Sequence, residues 1–391
     1  MPPLFNLLFG GITARMSRPA KAVIYLDALR HNYHLAKQMS GDGNVIAVVK
    51  ADAYGHGAIQ CARALADMAD GFAVACIEEA IELREAGIQQ HILLLEGFYD
   101  AAELQAIDHY RLDFVVHHQQ QLDILKQARF NHSVRAFLKM DSGMGRVGFL
   151  PNEYRDAWQS LNELPFIDDI VLMSHFACAD EPDTGHALQQ LETFEEFTLG
   201  LPGSRSICNS AGLVTLPAAR GQWNRPGLLL YGVSPFMENH PVSEHLKPVM
   251  ELSSAIISIK DIPSGSSVGY GSHWVAGRPT KMGVIAMGYA DGYPRHAKNG
   301  TPILINGYQA PLIGRVSMDM LTVDLTDVPD VKLGDKVVLW GEGLPIEEVA
   351  KHANTIPYQL LCNLNRVPVE YIEAEKPESE PEPVRQISIH S

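Results

Sequence analysis

Residues Asn44–Gly57 read NVIAVVKADAYGHG, and this stretch decides the class of fold. Val45, Ile46, Ala47, Val48 and Val49 form an unbroken apolar run, the pattern of a parallel strand buried on both faces. Lys50 ends the run. Tyr54-Gly55-His56-Gly57 then predicts a turn, and Ala58–Met68 a helix. The C-terminal end of a buried parallel strand is where barrels and open sheets place their chemistry. Burial favours the neutral amine of a lysine, the form that attacks an aldehyde to make a Schiff base. On position alone a lysine snorkelling from a strand end is the more ordinary explanation; the rest of the chain reverses that weighting.

Outward from Lys50 the same unit repeats. Apolar runs at Gly71–Ala75, His91–Leu95, Leu112–Val116, Val134–Met140, Ile170–Ser174 and Arg205–Asn209 alternate with amphipathic stretches. Those stretches are Ile77–Ala86, Ala101–Asp108, His118–Ala128, Glu153–Leu164 and Ala187–Thr198. With Asn44–Lys50 first and Trp223–Arg225 last, the count is eight strands. Strict alternation implies right-handed crossovers and a parallel sheet, hence an α/β fold with a TIM-like (β/α)8 barrel; an open doubly wound sheet is the alternative. Around Pro241–Glu251 the texture changes. Short strands separated by Gly and Pro turns, such as Ile305-Asn306-Gly307, predict a C-terminal, mostly antiparallel β domain, with short helices at Pro345–His352 and Tyr358–Asn363. The expected division is a flexible extension over 1–20, a barrel over 21–246, a β-rich domain over 247–373 and a disordered tail over 374–391. Met16 is the expected natural start.

The 391 residues carry a formal net charge of −15, which argues against a nucleic-acid surface. No apolar stretch is long enough to span a bilayer. Five scattered cysteines without a CxxC pair suit free thiols in a reducing compartment, and no metal framework. The expected location is the cytoplasm.

Several strand-end residues have chemical potential. Asn209-Ser210-Ala211-Gly212 follows the seventh strand and Arg225-Pro226-Gly227 the eighth, where barrels bind phosphate through backbone N–H groups and hydroxyls. Arg225 inside a barrel mouth needs a partner, because an unpaired buried charge is expensive; a pyridine nitrogen could accept from it. His175 ends the sixth strand, level with Lys50. Arg146 lies on the Gly-rich loop after Lys139 and could clamp a carboxylate, unless Asp141 takes it as a surface ion pair. In the second domain Val268-Gly269-Tyr270-Gly271, Gly288-Tyr289-Ala290-Asp291-Gly292 and Ser317-Met318-Asp319 place aromatic and polar groups on turns. Each motif alone is an ordinary turn.

Together and in order, AVVKADAYGHG, KMDSGMGRVGF, SHFA, CNSAG, NRPGLLLYG, VGYG, GYADGYPR, GRVSMDM and NRVPV resemble the alanine racemases, fold-type III pyridoxal-phosphate enzymes. The resemblance runs from about Lys21 to Ile372. The Cys-containing motif of the related basic amino-acid decarboxylases is absent. The resemblance implies pyridoxal 5'-phosphate as cofactor and interconversion of L- and D-alanine by two bases, supplying D-alanine for peptidoglycan. Lys50 would carry the cofactor and serve the D-enantiomer. Tyr270, from the partner of a head-to-tail homodimer, would serve the L-enantiomer. Arg225 would face the pyridine nitrogen, and His175 would link it to the tyrosine. Tyr54, Ser210, Gly227 and Leu228, beside Asn209, would hold the phosphate. Arg146 and the backbone of Met318 would hold the substrate carboxylate. Lys139 matches a position that is often carbamylated, Tyr289 would line the entrance, and Asp319 would be a further supporting residue. Asn365 departs from the tyrosine frequent before Arg-Val-Pro and implies a roomier pocket. The alternatives are a broad-specificity amino-acid racemase and a cofactor carrier without turnover; a carrier needs neither Tyr270 nor Arg146.

Overall fold

The computed structural model describes residues 18–238 and 240–373. Of the extension and tail expected at the two ends, all but residues 18–20 lie outside the described residues. Strands β1 (Lys21–Tyr25) and β2 (Asn44–Val48) are followed by β3 (Gly71–Val74), β4 (His91–Leu94), β5 (Asp113–Val116), β6 (Val134–Lys139), β7 (Ile167–Met173), β8 (Ser204–Ser206) and β9 (Trp223–Asn224). β2 to β8 pair successively in parallel, and β9 pairs with β2. The Arg225 N–H donates to Cys208 O at 3.0 Å across the remaining seam, so the eight strands form a nearly closed barrel with a helix after most strands. β3 and β5 are buried along their whole length, which is why their sequences show no alternation.

The expected seventh strand, Arg205–Asn209, is ladder-paired only over Ser204–Ser206. The reason lies in Arg225: the carbonyls of Ile207 and Cys208 turn to it, at 3.5 Å from Nη2 and 3.0 Å from the backbone N–H, instead of continuing the ladder.

The second sheet contains β10 (Met250–Ile262), β13 (Thr280–Ile285), β14 (Pro302–Ile305), β15 (Tyr308–Pro311), β16 (Leu321–Asp324), β17 (Lys336–Trp340) and β18 (Val369–Ile372). A small ribbon pairs β11 (Ser267–Val268) with β12 (Trp274–Val275). All pairings in the sheet are antiparallel except that of β18 with β1. Two features differ from the reading of the sequence. β10 is long rather than short, because a bulge between Ile256 and Ser258 lets it serve β17 with its first half and β13 with its second. β1, expected within the barrel segment, instead pairs antiparallel with β10 and parallel with β18; its five residues cannot be told from a barrel strand by hydropathy. Short helices at Ile346–His352 and Pro357–Cys362 follow, and the second packs on the turn after β2. Among the described residues no helix is long and apolar enough to cross a membrane, and all five cysteines are free thiols.

Candidate active site

Lys50 lies two residues past the end of β2, partly buried at the C-terminal mouth of the barrel. The turn it opens is left-handed. Ala51, Asp52, Ala53 and Tyr54 have φ of 53, 52, 53 and 53°. At about 1–2 kcal/mol per residue, four such residues cost roughly 4–8 kcal/mol before compensation. The compensation is a set of hydrogen bonds. The Ala51 N–H donates to Glu79 Oε1 at 2.7 Å, Ala53 N–H to Val49 O at 2.8 Å, and Gly57 N–H to Asp52 O at 3.0 Å. The Ala58 N–H donates to Asp52 Oδ1 at 2.7 Å. Glu79 accepts from Ala75 N–H through its other oxygen, so one carboxylate joins the ends of β2 and β3. Gly55 sits against the backbone of the Pro357–Cys362 helix: a β-carbon there would stand 2.4 Å from Leu361 O.

The turn aims Tyr54 across the barrel mouth. Its buried ring packs on Tyr231 at 4.9 Å and Tyr358 at 5.5 Å. Its hydroxyl has no hydrogen-bond partner among the described residues and lies against Gly227, where a β-carbon would meet it at 2.5 Å. Ser210 Oγ accepts from the N–H groups of Gly227 and Leu229 at 2.9 and 3.2 Å, tying the loops after β8 and β9 together. Asn209 caps the helix Ser210–Thr215 by accepting from Gly212 N–H. Leu228 follows, buried, in a single helical turn.

Positive charge converges beside this cradle. Arg225 is buried, and burial brings its pKa down to about 10. Its guanidinium donates to Ser206 Oγ, to Ser174 O at 2.8 Å and to His175 Nδ1 at 3.4 Å. Burial, with Arg225 and Arg146 adding to it, brings buried Lys139 down to about 8. Burial first, then Arg225, Lys139, Arg146 and Lys50, drives His175 well below the usual imidazole value. Asp141 does not neutralise Arg146: its Oδ1 accepts from Gly143 and Gly145 N–H at 3.1 and 3.0 Å. Arg146 is therefore exposed with no ion pair among the described residues. A neutral imidazole ringed by four cations suits an anionic ligand.

Tyr270, Tyr289, Met318, Asp319 and Asn365 form a separate group in the second sheet's loops. Tyr270 is 71% exposed and Met318 52%. The Tyr289 N–H donates to Ser317 O at 3.0 Å and Ala290 N–H to Met318 O at 3.1 Å. Behind them Asp291 is wholly buried. Burial alone would raise its carboxyl, but Arg18, the Gly288 N–H and Arg366 hold it below its usual range. Arg366 Nη2 also donates to Asp319 at 2.7 Å, and Asn365 N–H to Asp291 O at 2.9 Å. Among the described residues no hydrogen bond or ion pair joins Tyr270 or Met318 to Lys50.

Residues 24–235 match the family model "Alanine racemase, N-terminal domain", and residues 249–371 match "Alanine racemase, C-terminal domain". The chain belongs to the alanine racemase family. An alanine racemase of Pseudomonas taetrolens is 53% identical over 91% of this chain and 99% of its own. A catabolic alanine racemase of Pseudomonas putida is equally 53% identical with the same coverage. The crystal structure of the biosynthetic alanine racemase from Pseudomonas aeruginosa superposes with a TM-score of 0.88 at 46% identity, covering 91% of this chain and 99% of that one. The Pseudomonas aeruginosa structure thus shares this fold over 91% of the chain.

Three alanine-racemase-family residues of the site escape a reading of the sequence. Glu79 lies in the first turn of the helix Ile77–Glu85, in an unremarked run, and only the fold brings it to Ala51. Arg18 precedes the first strand and reaches Asp291 across 273 positions. His56 falls within the quoted motif, yet nothing in its spacing separates a turn residue from a buried brace.

Proposed function

We propose that this alanine-racemase-family enzyme interconverts L- and D-alanine with pyridoxal 5'-phosphate as cofactor, using two bases supplied by different subunits of a homodimer. The observation that carries the proposal is the barrel mouth itself: a Lys50 amine and a Tyr54 hydroxyl beside Gly227 that have no hydrogen-bond partner among the described residues, and a surplus of cations around a neutral His175. Those residues fit a phosphorylated aldehyde, because they offer a nucleophile for the carbonyl and donors for the phosphate. When bound, the cofactor's ring withdraws the electron pair left on the substrate's Cα.

Lys50 would hold the cofactor and move the α-proton of the D-enantiomer at Nζ. Tyr54 Oη, Ser210 Oγ and the backbone of Gly227 and Leu228 would hold the phosphate, with Asn209 fixing the helix beneath. Arg225, held by Ser174 and Ser206, would point at the ring nitrogen; its permanent proton keeps that nitrogen unprotonated and moderates electron withdrawal. His175 would pass that influence to the second base.

Tyr270 would be that base, moving the α-proton of the L-enantiomer on the opposite face. In a single chain it stands exposed, as expected of a group that completes a neighbour's site. A head-to-tail dimer with two-fold symmetry would hold two such sites at its one interface. Arg146 and the Met318 backbone would clamp the carboxylate, with Asp319 and Arg366 fixing the Met318 loop. Lys139, with a depressed pKa, is suited to carry a carbamate that orients Arg146. Tyr289 and Asn365 would border the entrance. Supply of D-alanine for peptidoglycan, in the cytoplasm, follows as the physiological role.

Incubation of the cofactor-loaded protein with L-alanine in D2O tests this. Loss of optical rotation together with α-deuteration is expected. Retained rotation with no deuterium uptake would favour a carrier.

A further inference from the structure

The left-handed turn that presents Lys50 and Tyr54 has carbonyls as well as N–H groups to satisfy, and one buried side chain serves two of them. His56 is fully enclosed. Its Nδ1 lies 2.9 Å from Ala53 O and 3.0 Å from Tyr54 O. Both partners are carbonyl oxygens, which only accept, so the proton is on Nδ1. Nε2 then carries the lone pair, and it is buried with no hydrogen-bond partner among the described residues. The imidazole stacks on Tyr231, ring centroids 4.5 Å apart and 28° from parallel. Tyr231 in turn donates its hydroxyl to Val48 O at 2.8 Å, at the end of β2, and its ring meets Tyr54.

We propose that His56, as a neutral Nδ1–H tautomer, is the positioning residue that holds the Lys50–Gly55 turn in its left-handed form and thereby sets the Tyr54 hydroxyl against Gly227. The inference rests on the cofactor reading above. It names the group that makes the phosphate cradle rigid before any ligand arrives. The histidine braces Tyr54 twice, directly through its carbonyl and indirectly through the Tyr231 ring. Four consecutive left-handed residues without glycine would relax to commoner conformations if their carbonyls lost these partners. Preorganisation of this kind appears in ligand affinity, since a relaxed turn must be re-ordered on binding. Protonation would place a second N–H at Nε2, where nothing accepts it, and burial keeps the imidazole pKa down at about 4. The brace is therefore insensitive to pH across the neutral range.

Two substitutions separate this role from generic packing. His56→Phe keeps an enclosed ring for Tyr231 but removes the donor. His56→Asn carries an amide nitrogen at the Nδ1 position and restores it. Dissociation constants for pyridoxal 5'-phosphate are measured on the apoenzyme by absorbance titration, beside urea unfolding of the same proteins. For His56→Phe a rise in Kd of about tenfold or more is expected, and for His56→Asn recovery to within about threefold of the unmodified protein. A merely structural role would lower unfolding midpoints of both variants and leave Kd alone. If His56→Phe does not fold, the contrast of His56→Asn with His56→Gln, whose amide nitrogen reaches the other ring position, decides instead. Equal Kd values in those two, or an unchanged Kd in His56→Phe, would overturn the inference. Failure of the unmodified protein to bind the cofactor would overturn the cofactor reading instead. Nitrogen-15 spectra supply a second readout: Nε2 is expected to show an unprotonated shift from about pH 5 to pH 8.

Discussion

Nη2 of Arg225 lies 3.4 Å from Nδ1 of His175. A guanidinium donates and never accepts, so Nδ1 is the acceptor and the imidazole proton resides on Nε2. The two side chains act as one unit: the cation fixes the tautomer of its neighbour and suppresses its charging. Arg225→Met is expected to raise the midpoint at which His175 titrates, moving the acid limb of the pH–rate profile to higher pH. It also strands Ser174 O and Ser206 Oγ, at a stability cost of about 3–5 kcal/mol. Nuclear magnetic resonance titration of His175 checks the shift; an unmoved midpoint would sink the coupling.

Gly227 admits no side chain. With only 2.5 Å between a β-carbon and Tyr54 Oη, Gly227→Ala must push the tyrosine aside. Pyridoxal phosphate affinity is expected to fall about tenfold or more, while unmodified pyridoxal, which lacks the phosphate, is affected less. Parallel titrations with both aldehydes make the comparison.

Lys139 links pH to stability with a definite sign. Its folded-state pKa of about 8 is below the ordinary 10.5, so protonation opposes folding. The penalty is fully present below pH 8 and is relieved as pH rises from about 8 towards 10.5, where the unfolded chain holds a proton the folded one lacks. Urea midpoints measured in carbon-dioxide-free buffer are expected to rise over that window, less so in Lys139→Met. Added bicarbonate, as a source of carbon dioxide, is expected to abolish the difference, because the neutral amine adds carbon dioxide and releases a proton to become a carbamate, and to lower the KM for alanine.

Tyr270→Phe removes one proposed base and leaves the other. Loss of the α-proton from L-alanine is expected to slow by about 10²–10⁴-fold, with the visible absorbance of the bound cofactor retained. Deuterium washout from each enantiomer measures the asymmetry. Equal washout in the variant and the unmodified enzyme means that the second base is another group.

Asn365 turns back on its own chain, its Oδ1 accepting from Arg366 N–H at 3.0 Å. If that leaves the pocket roomier, L-serine turns over at a measurable fraction of the alanine rate and Asn365→Tyr suppresses it. Negligible serine turnover in the unmodified enzyme removes the idea.

Much of this was legible in the chain because parallel barrel strands are buried on both faces and leave continuous apolar runs. Lys50, Arg225 and His175 each stand where such a run stops. What could not be read depends on distance along the chain. The left-handed course of Ala51–Tyr54 has no glycine to announce it, since its stability comes from Glu79, Asp52 and His56 rather than from local preference. β1 looks like any amphiphilic pentamer, and its partners arrive more than two hundred residues later. The clamp on Asp291 draws one arginine from each end of the chain.

The placement of β1 between β10 and β18 governs the order of assembly. A chain emerging from the ribosome can complete its barrel while its own first strand still waits, unpaired, for β10. β18, the last strand among the described residues, then covers the edge that β1 leaves open. Loss of β18 would thus expose backbone at the start of the molecule.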